Sequence, residues 1–361
     1  MKRYNRHIIL SEIGQQGQDK LNNAKVLVVG AGGLGCPVLQ YLAAAGIGTL
    51  GVIDFDIVSE SNLQRQILFG TSSLGQNKAL AAKKRLEDLN NTITINAYPE
   101  RLTYQNAITL FSEYDIIVDG TDNFETRYLI NDASIITNKP LVFGGIYKFE
   151  GQLSVFNYND GPSYRCLFPN PPKTGSIPNC SEIGVLGVLP GIIGTMQANE
   201  VIKIILGLGN TLSGKLFCYN ALTLQNTIIK VSKSEIEIKK VIENSGAFQQ
   251  QNQPQNICEP MSIFVSINEV YQQENIQFID IRETHEFPKV DGLQITIIPL
   301  SELESQLNKL DPDKKKVLFC QAGIRSRSAV MFLQQLNIEN CFSLIEGASG
   351  INSFITQHKK N

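Results

Sequence analysis

Short unbroken apolar runs alternate with stretches of helical period through most of this chain, which predicts α/β structure with strands buried on both faces. Val26 to Val29 reads as such a strand, Leu34 to Ala45 as a helix closed by Gly46, and Leu50, Val52 and Ile53 as a second strand. Further strands are predicted at Thr92 to Ala97, Asp115 to Val118, Leu141 to Phe143, Gln152 to Phe156 and Leu216 to Tyr219, with short connections that make the last two antiparallel. Helices are predicted over Arg3 to Leu10, Ser72 to Asn91, Phe124 to Ser134 and Gly191 to Leu206. Gly14 to Asp19 reads as a polar connection, and proline-rich Asn157 to Cys180 as a long loop or flap. The pattern lapses in the Gln- and Asn-rich segment 241–261, which predicts a linker between a first domain, 1–240, and a second, 262–361. In the second, strands at Phe278 to Ile281, Ile295 to Ile298, Val317 to Cys320 and Cys341 to Ile345 alternate with helices at Ser266 to Gln273 and Ser328 to Leu336.

Chemistry enters between the first two strands. Gly30, Gly32 and Gly35 fill G-x-G-x-x-G, with Gly33 beside them, and the turn opens directly into a helix. Residues without a Cβ let the backbone approach a phosphate, and the helix start offers unpaired N–H groups. Asp54 follows at the end of the second strand, twenty-four positions past Gly30, where a ribose-binding carboxylate is expected. An adenine nucleotide is the predicted ligand, and a dinucleotide such as NAD fits this motif as well as ATP. Beyond that strand, Asn62, Gln64, Arg65 and Gln66 crowd polar groups where open parallel sheets bind ligands. Lys78, on composition alone, reads as a solvated lysine. Asp119, Asp122 and Asn123 lie at another strand's carboxyl end, where paired carboxylates hold magnesium against phosphates. For Asp122 that role competes with service as a helix N-cap.

The 361 residues carry 42% apolar content, enough for more than one core. With 32 basic against 34 acidic residues and a net charge of −2, neither nucleic acid nor an anionic membrane is expected as a partner. No apolar run reaches the roughly 20 residues that span a bilayer, and MKRYNRHIIL has no signal-peptide core, so a cytoplasmic location is expected. The seven cysteines are scattered without a C-x-x-C, and there are only three histidines. Cysteine chemistry is therefore the better supplied.

The clearest cysteine is Cys320, in CQAGIRSRS directly after an apolar strand. Loop N–H groups and Arg325, with Gly323 and Ser326 in the same loop, favour a thiolate or persulfide anion there. A cysteine phosphatase loop needs a similar Cys and Arg, and the DIRE segment, Asp280 to Glu283, separates the two. DIRE followed about 40 residues later by C-x-x-G-x-R-S resembles a rhodanese domain over roughly Ser262 to His358. The family's glycine-histidine after DxR is replaced by VDGLQ, and its late tryptophan is absent.

The first domain resembles the MoeB/ThiF family of adenylyltransferases through RYNRHIIL, GAGGLG, DFDIVSESNLQRQ, GQNKA, DGTDNFETR and CSEIGVLGVLPGIIG, in that order. The resemblance implies a Rossmann-like, ubiquitin-activating-type adenylation domain with a mixed sheet, followed by the small α/β rhodanese domain. It implies that ATP activates the C-terminal glycine of a small ubiquitin-like sulfur carrier, MoaD-like (molybdopterin) or ThiS-like (thiamine). A rhodanese persulfide, loaded from a persulfide or thiosulfate donor, would supply the sulfur. It assigns Asp54 to the ribose, Asn62, Arg65, Lys78 and Arg6 to the phosphates, and Asp122 to magnesium, with Arg6 reaching in from the other subunit of a homodimer. The ATP site would also draw on Asp56, Ser61, Leu63, Gln64 and Asn123. Cys180 matches the family's crossover-loop cysteine, a thiol that can take or exchange the acyl group. The family's structural zinc is not expected, because the first C-x-x-C reads Ser163 to Cys166 and no second pair precedes the linker. Two other classes remain in view at this point, an NAD-dependent oxidoreductase and a non-catalytic scaffold for a ubiquitin-like protein.

Overall fold

A computed structural model describes residues 2–172, 184–251, 263–271, 273–321, 323–336 and 338–358. The chain divides into two compact units, Met1–Gln253 and Pro254–Asn361.

The first unit is built on an eight-stranded sheet in the order β3-β2-β1-β4-β5-β6-β7-β8. Its strands are β1 (Lys25–Val29), β2 (Thr49–Ile53), β3 (Thr94–Tyr98), β4 (Ile116–Asp119), β5 (Leu141–Tyr147), β6 (Glu150–Phe156), β7 (Lys215–Asn220) and β8 (Asn226–Lys230). Strands β1 to β5 pair in parallel and β5 to β8 antiparallel, so the sheet is mixed, as expected. Alternate residues of β1 enter opposite cores. Val26 and Val28 pack with the helices Gly35–Ala45, Lys78–Leu89 and Leu189–Leu206, while Leu27 and Val29 pack with Tyr104–Ser112 and Phe124–Ile136. Double coverage accounts for the continuous apolar runs. The strand order reverses between β1 and β4, and a crevice at the carboxyl ends of the strands follows from that reversal.

Several local expectations change. Gly14 to Asp19 is not a connection but the start of the helix Gly14–Asn23, in which Gly17 is needed because a Cβ would sit 2.8 Å from the Ile13 side chain. The helix expected from Ser72 begins at Lys78, where the Asn77 side chain accepts from Leu80 N and caps it. Strand β8 and the helix Tyr104–Ser112 were not expected; every residue of β8 is exposed, so it has no apolar alternation to read. The segment 241–261 is not a tether throughout. Val241 and Phe248 are buried, Phe248 meets Tyr104 edge-on at 5.0 Å, and Gln105 Nε2 donates to the carbonyls of Gln249 and Gln251.

The second unit holds five parallel strands in the order β11-β10-β12-β13-β9, namely β9 (Phe264–Val265), β10 (Ile276–Asp280), β11 (Ile295–Ile297), β12 (Lys315–Phe319) and β13 (Cys341–Leu344). The helix Ile324–Gln335 follows the cysteine loop, and Gly347–His358 adds a helix the sequence pattern did not show. The helix expected over Ser266 to Gln273 shrinks to the turn Ile267–Val270, closed by a capping box between Ser266 and Glu269. Among the described residues no helix is long and apolar enough to cross a membrane.

Candidate functional site

The glycines of the first turn serve different ends. Gly30 has φ +94°, and a Cβ there would lie 2.9 Å from the Gly120 carbonyl oxygen; on Gly35 it would lie 1.9 Å from Gly30 O. These two hold the turn against itself and against the end of β4. Gly33 sits under Pro190 and the stem of Arg65, with a Cβ position 3.1 Å from the former and 3.6 Å from the latter. Gly32 opens outward: nothing lies within 4 Å of its Cβ position except Gln66 Nε2, at 3.9 Å. The open face is thus a strip of bare backbone at the start of the helix Gly35–Ala45, suited to an anion.

Asp54 does more than its place beside a ribose predicts. Its Oδ2 accepts from Ala31 N at 2.8 Å and its Oδ1 from Asp56 N at 2.9 Å, so the carboxylate ties the glycine turn to the end of β2. Burial pushes this carboxyl up, and the Lys78 charge draws it partly back. Lys78 is not a solvated lysine: it is 6% exposed, and its Nζ reaches Asp56 Oδ2 at 3.1 Å. Behind the turn, burial pushes the Cys36 thiol up to about 12, so this cysteine is chemically inert despite its position.

The segment after β2 folds back over the turn. Asn62 Oδ1 accepts from Ser59 N, Ser59 and Ser61 share a hydroxyl contact, and Arg65 Nη1 donates to Ser61 O at 3.1 Å. Arg65 and Gln66 lie against Gly33 and Gly32, whereas Leu63 packs toward the hydrophobic core and Gln64 against Gly187. The structure therefore brings Gly30, Gly32, Gly33, Gly35, Asp54, Asp56, Arg65 and Lys78 into one neighbourhood, with Leu63 packed toward the core and Gln64 against Gly187. Arg6 is exposed on the turn Asn5–Ile8, two residues after Tyr4, whose ring packs on Gly46 and whose hydroxyl accepts from Asn90 Nδ2 at 2.8 Å.

At the end of β4 the expected pair of carboxylates separates. Asp119 is fully buried and committed: it accepts from Thr121 N at 2.9 Å, Thr121 Oγ1 at 2.6 Å and Arg127 Nε at 3.3 Å. Both Asp119 oxygens are thus taken up by groups of the protein. Asn123 caps the helix Phe124–Ile136 by accepting from Thr126 N at 2.9 Å, so the capping role weighed for Asp122 belongs to its neighbour. Asp122 is exposed, has no ion-pair partner among the described residues, and lines a cavity of about 550 Å³ with Asn123, Arg127, Tyr147, Gln152 and Tyr164. Arg127 escaped the sequence reading because its value lies in contacts across the fold: besides Asp119 it holds Thr121 O at 3.1 Å and lies 4.8 Å over the Phe143 ring. Cys180 lies outside the described residues.

In the second unit Cys320 directly follows β12 and is almost fully buried, with Ser326 Oγ at 3.7 Å from its sulfur and 2.8 Å from Ser343 Oγ. Gly323, φ +82°, turns the loop into the helix Ile324–Gln335. Arg325 faces the Cys320 sulfur, and a carboxylate shares it: its Nη1 and Nη2 donate to Glu286 Oε1 and Oε2 at 2.5 and 2.6 Å. The cation still contributes to the loop's field, yet its charge is shared with Glu286, a residue the motif reading passed over. The DIRE arginine, Arg282, is fully buried, forked onto Asp280 and bonded to Gln321 Oε1 in the loop.

Residues 4–239 match the ThiF family model, and residues 266–353 match the rhodanese-like domain model. The chain belongs to the ThiF family. Its second unit is a rhodanese-like domain. Among relatives, the probable adenylyltransferase/sulfurtransferase MoeZ of Mycobacterium tuberculosis is 40% identical over 96% of this chain and 91% of its own length. The sulfur carrier protein adenylyltransferase of Thermus thermophilus is 52% identical over 62% of this chain and 84% of its own. Among solved structures, E. coli MccB with ATP superposes with a TM-score of 0.57 at 24% identity, covering 65% of this chain and 72% of that one, which shows the fold.

Membership of the family makes two ion sites worth testing against these residues. A structural zinc does not fit. Cys166 Sγ instead accepts from Ser163 N at 3.3 Å and Ser234 N at 3.2 Å, and lies 3.3 Å from Ser163 Oγ. Among the described residues no group of three His, Cys, Asp or Glu side chains could hold a metal. A nucleotide-bound magnesium asks less of the protein, since one or two carboxylates suffice when phosphates and water complete the shell. Unpaired Asp122 meets that requirement.

Proposed function

We propose that this chain uses ATP to adenylate the C-terminal glycine of a small ubiquitin-like sulfur carrier, and that its rhodanese unit delivers sulfur to the activated acyl group. The observation that carries the reading is the meeting of bare glycine backbone, Arg65 and buried Lys78 at the sheet's switch point. A dinucleotide carries no leaving pyrophosphate and needs no such pair of cations. Relatives named as adenylyltransferase/sulfurtransferases, matching along nearly the whole chain, support the same reading.

In this account the glycine turn and helix start take the phosphate chain, and Asp54 takes the ribose. The carrier's carboxylate oxygen attacks the α-phosphorus, the bond to the β-phosphate oxygen breaks, and pyrophosphate leaves. Charge gathers on the phosphate oxygens in that step, and Arg65 and Lys78 are the cations that stabilise it. Magnesium, supplied with ATP, would be held by Asp122 and would offset phosphate charge. The cavity beside Asp122 is where the carrier's extended C-terminal segment enters. Arg6 completes the phosphate site of a second copy in a homodimer, a role in keeping with its exposure on an anchored turn.

Sulfur transfer follows as a separate reaction. The terminal sulfur of a Cys320 persulfide, loaded from a persulfide or thiosulfate donor, attacks the acyl carbon and AMP leaves. A thiol, for which Cys180 is the candidate, then attacks the Cys320 sulfur, forming a disulfide with it as the carrier leaves as a thiocarboxylate, and an external dithiol reduces that disulfide for the next turn. The expected setting is the cytoplasm. The test is carrier-dependent exchange of labelled pyrophosphate into ATP. Exchange supports the reading; hydride transfer to NAD, or no exchange with any glycine-ended carrier, contradicts it.

A further inference from the structure

Gln66 is buried at the mouth of the glycine turn, and among the described residues its side chain has no hydrogen-bond partner. It is 3% exposed, its Oε1 is sealed from solvent without a hydrogen-bond partner, and its Nε2 is the atom turned toward Gly32. Its backbone, by contrast, is fully employed: Gln66 N donates to Asn62 O at 2.9 Å and Gln66 O accepts from Phe69 N at 3.1 Å. The side chain is therefore placed by its own segment and left without a hydrogen bond among the described residues. A buried carboxamide with no partner costs free energy, and an apolar residue of the same size would serve packing better. What it faces is the open strip of backbone, with Nε2 3.9 Å from the Cβ position of Gly32, where nothing else stands within 4 Å.

We infer that Gln66 is a positioning residue for the nucleotide, its Nε2 donating to an anionic oxygen of the phosphate chain lying along Gly32 and Gly33. The inference rests on the nucleotide reading given above. Arg65 and Lys78 supply charge. Gln66 supplies a neutral donor of fixed direction, set by burial, next to the one glycine that leaves room. Hydrogen bonds from a neutral amide to an anion are among the stronger ones, and the ligand would meet the donor that the protein leaves free.

The test uses the full chain and two ligands, ATP and adenosine, titrated by calorimetry against wild type, Q66M and Q66E, with thermal unfolding of each protein alongside. Wild type should bind both. Q66M should keep or raise the unfolding temperature, bind adenosine as wild type does, and bind ATP about tenfold or more weakly. Q66E, setting a carboxylate against phosphate, should be weaker still for ATP. ATP affinity of Q66M within about twofold of wild type overturns the inference. So does an equal loss for ATP and adenosine, which marks a residue acting through the fold alone. Should Q66M not fold, Gln66→Asn withdraws the amide by one methylene and must weaken ATP but not adenosine. Wild type that binds no ATP overturns the nucleotide reading together with this one, whereas binding that Q66M leaves untouched overturns this one alone.

Discussion

Lys78 Nζ stands 3.1 Å from Asp56 Oδ2, and the two residues are fastened together twice over: Lys78 N donates to Asp56 O at 2.9 Å, and Asn77 Nδ2 reaches the carbonyls of Asp54 and Asp56 at 3.0 and 3.2 Å. The ammonium is thereby held at the end of β2, beside Asp54 and the glycine turn. Lys78→Ala and Arg65→Ala should each lower pyrophosphate exchange by about 10² or more, the loss expected when a group that stabilises transition-state charge is removed. Asp56→Asn, which leaves Lys78 in place but frees its head, should cost less than either. Exchange rates for the three variants check this; a change below about twofold for Lys78→Ala returns it to a structural role.

Buried Asp119 and the largely covered Arg127 form a pair that lies at the crevice at the end of β4. Asp119→Ala would leave the guanidinium buried without its carboxylate, a change that costs about 3–5 kcal/mol when one partner of a buried pair is lost. Urea unfolding of the first unit should show a loss of that order. A loss near zero would mean that Arg127 escapes to solvent.

The Arg325 guanidinium holds the Glu286 carboxyl below its ordinary value of 4.5. A carboxyl depressed in the folded state binds fewer protons there than in the unfolded state. Its stabilising contribution is therefore complete above about pH 4.5 and is lost as pH falls through the folded value. Chemical unfolding of the second unit between pH 7 and pH 3 should steepen on the acid side for wild type and flatten for Glu286→Gln. Equal acid sensitivity in both proteins would show that the pair carries no such linkage.

Cys166 is satisfied by Ser163 and the Ser234 backbone, which joins the turn Tyr164–Leu167 to the start of the helix Glu235–Glu243 without metal. Metal analysis of the purified protein should find well under one zinc per chain, and a chelator should leave the unfolding temperature unchanged. One tightly held zinc per chain would refute the hydrogen-bonded arrangement.

What the sequence made legible is what neighbouring positions decide. The glycine turn, Asp54 and the Cys320 loop are strand-turn-helix units, so their chemistry follows from spacing along some thirty residues or fewer. Lys78 shows the limit. Its composition-based reading as a surface lysine fails because Asn77, bonded to two β2-end carbonyls, starts the helix where the lysine must turn inward. Arg127 and Glu286 were beyond reach for a related reason, and Gln66 was legible only as one of four polar groups beyond β2. Glu286 matters through Arg325, thirty-nine positions later, and Gln66 through the empty space in front of Gly32, neither of which is a local property. The packed start of the expected linker follows the same rule, since Phe248 gains its burial from Tyr104, far back in the chain.

In the proposed reaction one chain makes an acyl-adenylate in its ThiF unit and delivers sulfur from Cys320 in its rhodanese unit. The most direct measurement is the mass of a MoaD-like or ThiS-like carrier after incubation with ATP, magnesium and a persulfide or thiosulfate donor. Wild type should yield carrier with an adenylate and then with a thiocarboxylate. Cys320→Ala should still make the adenylate and release pyrophosphate, but form no thiocarboxylate. Carrier that never gains an adenylate contradicts the account at its root, and thiocarboxylate formed by Cys320→Ala at the wild-type rate removes Cys320 as the sulfur relay and makes Cys180 the residue to test.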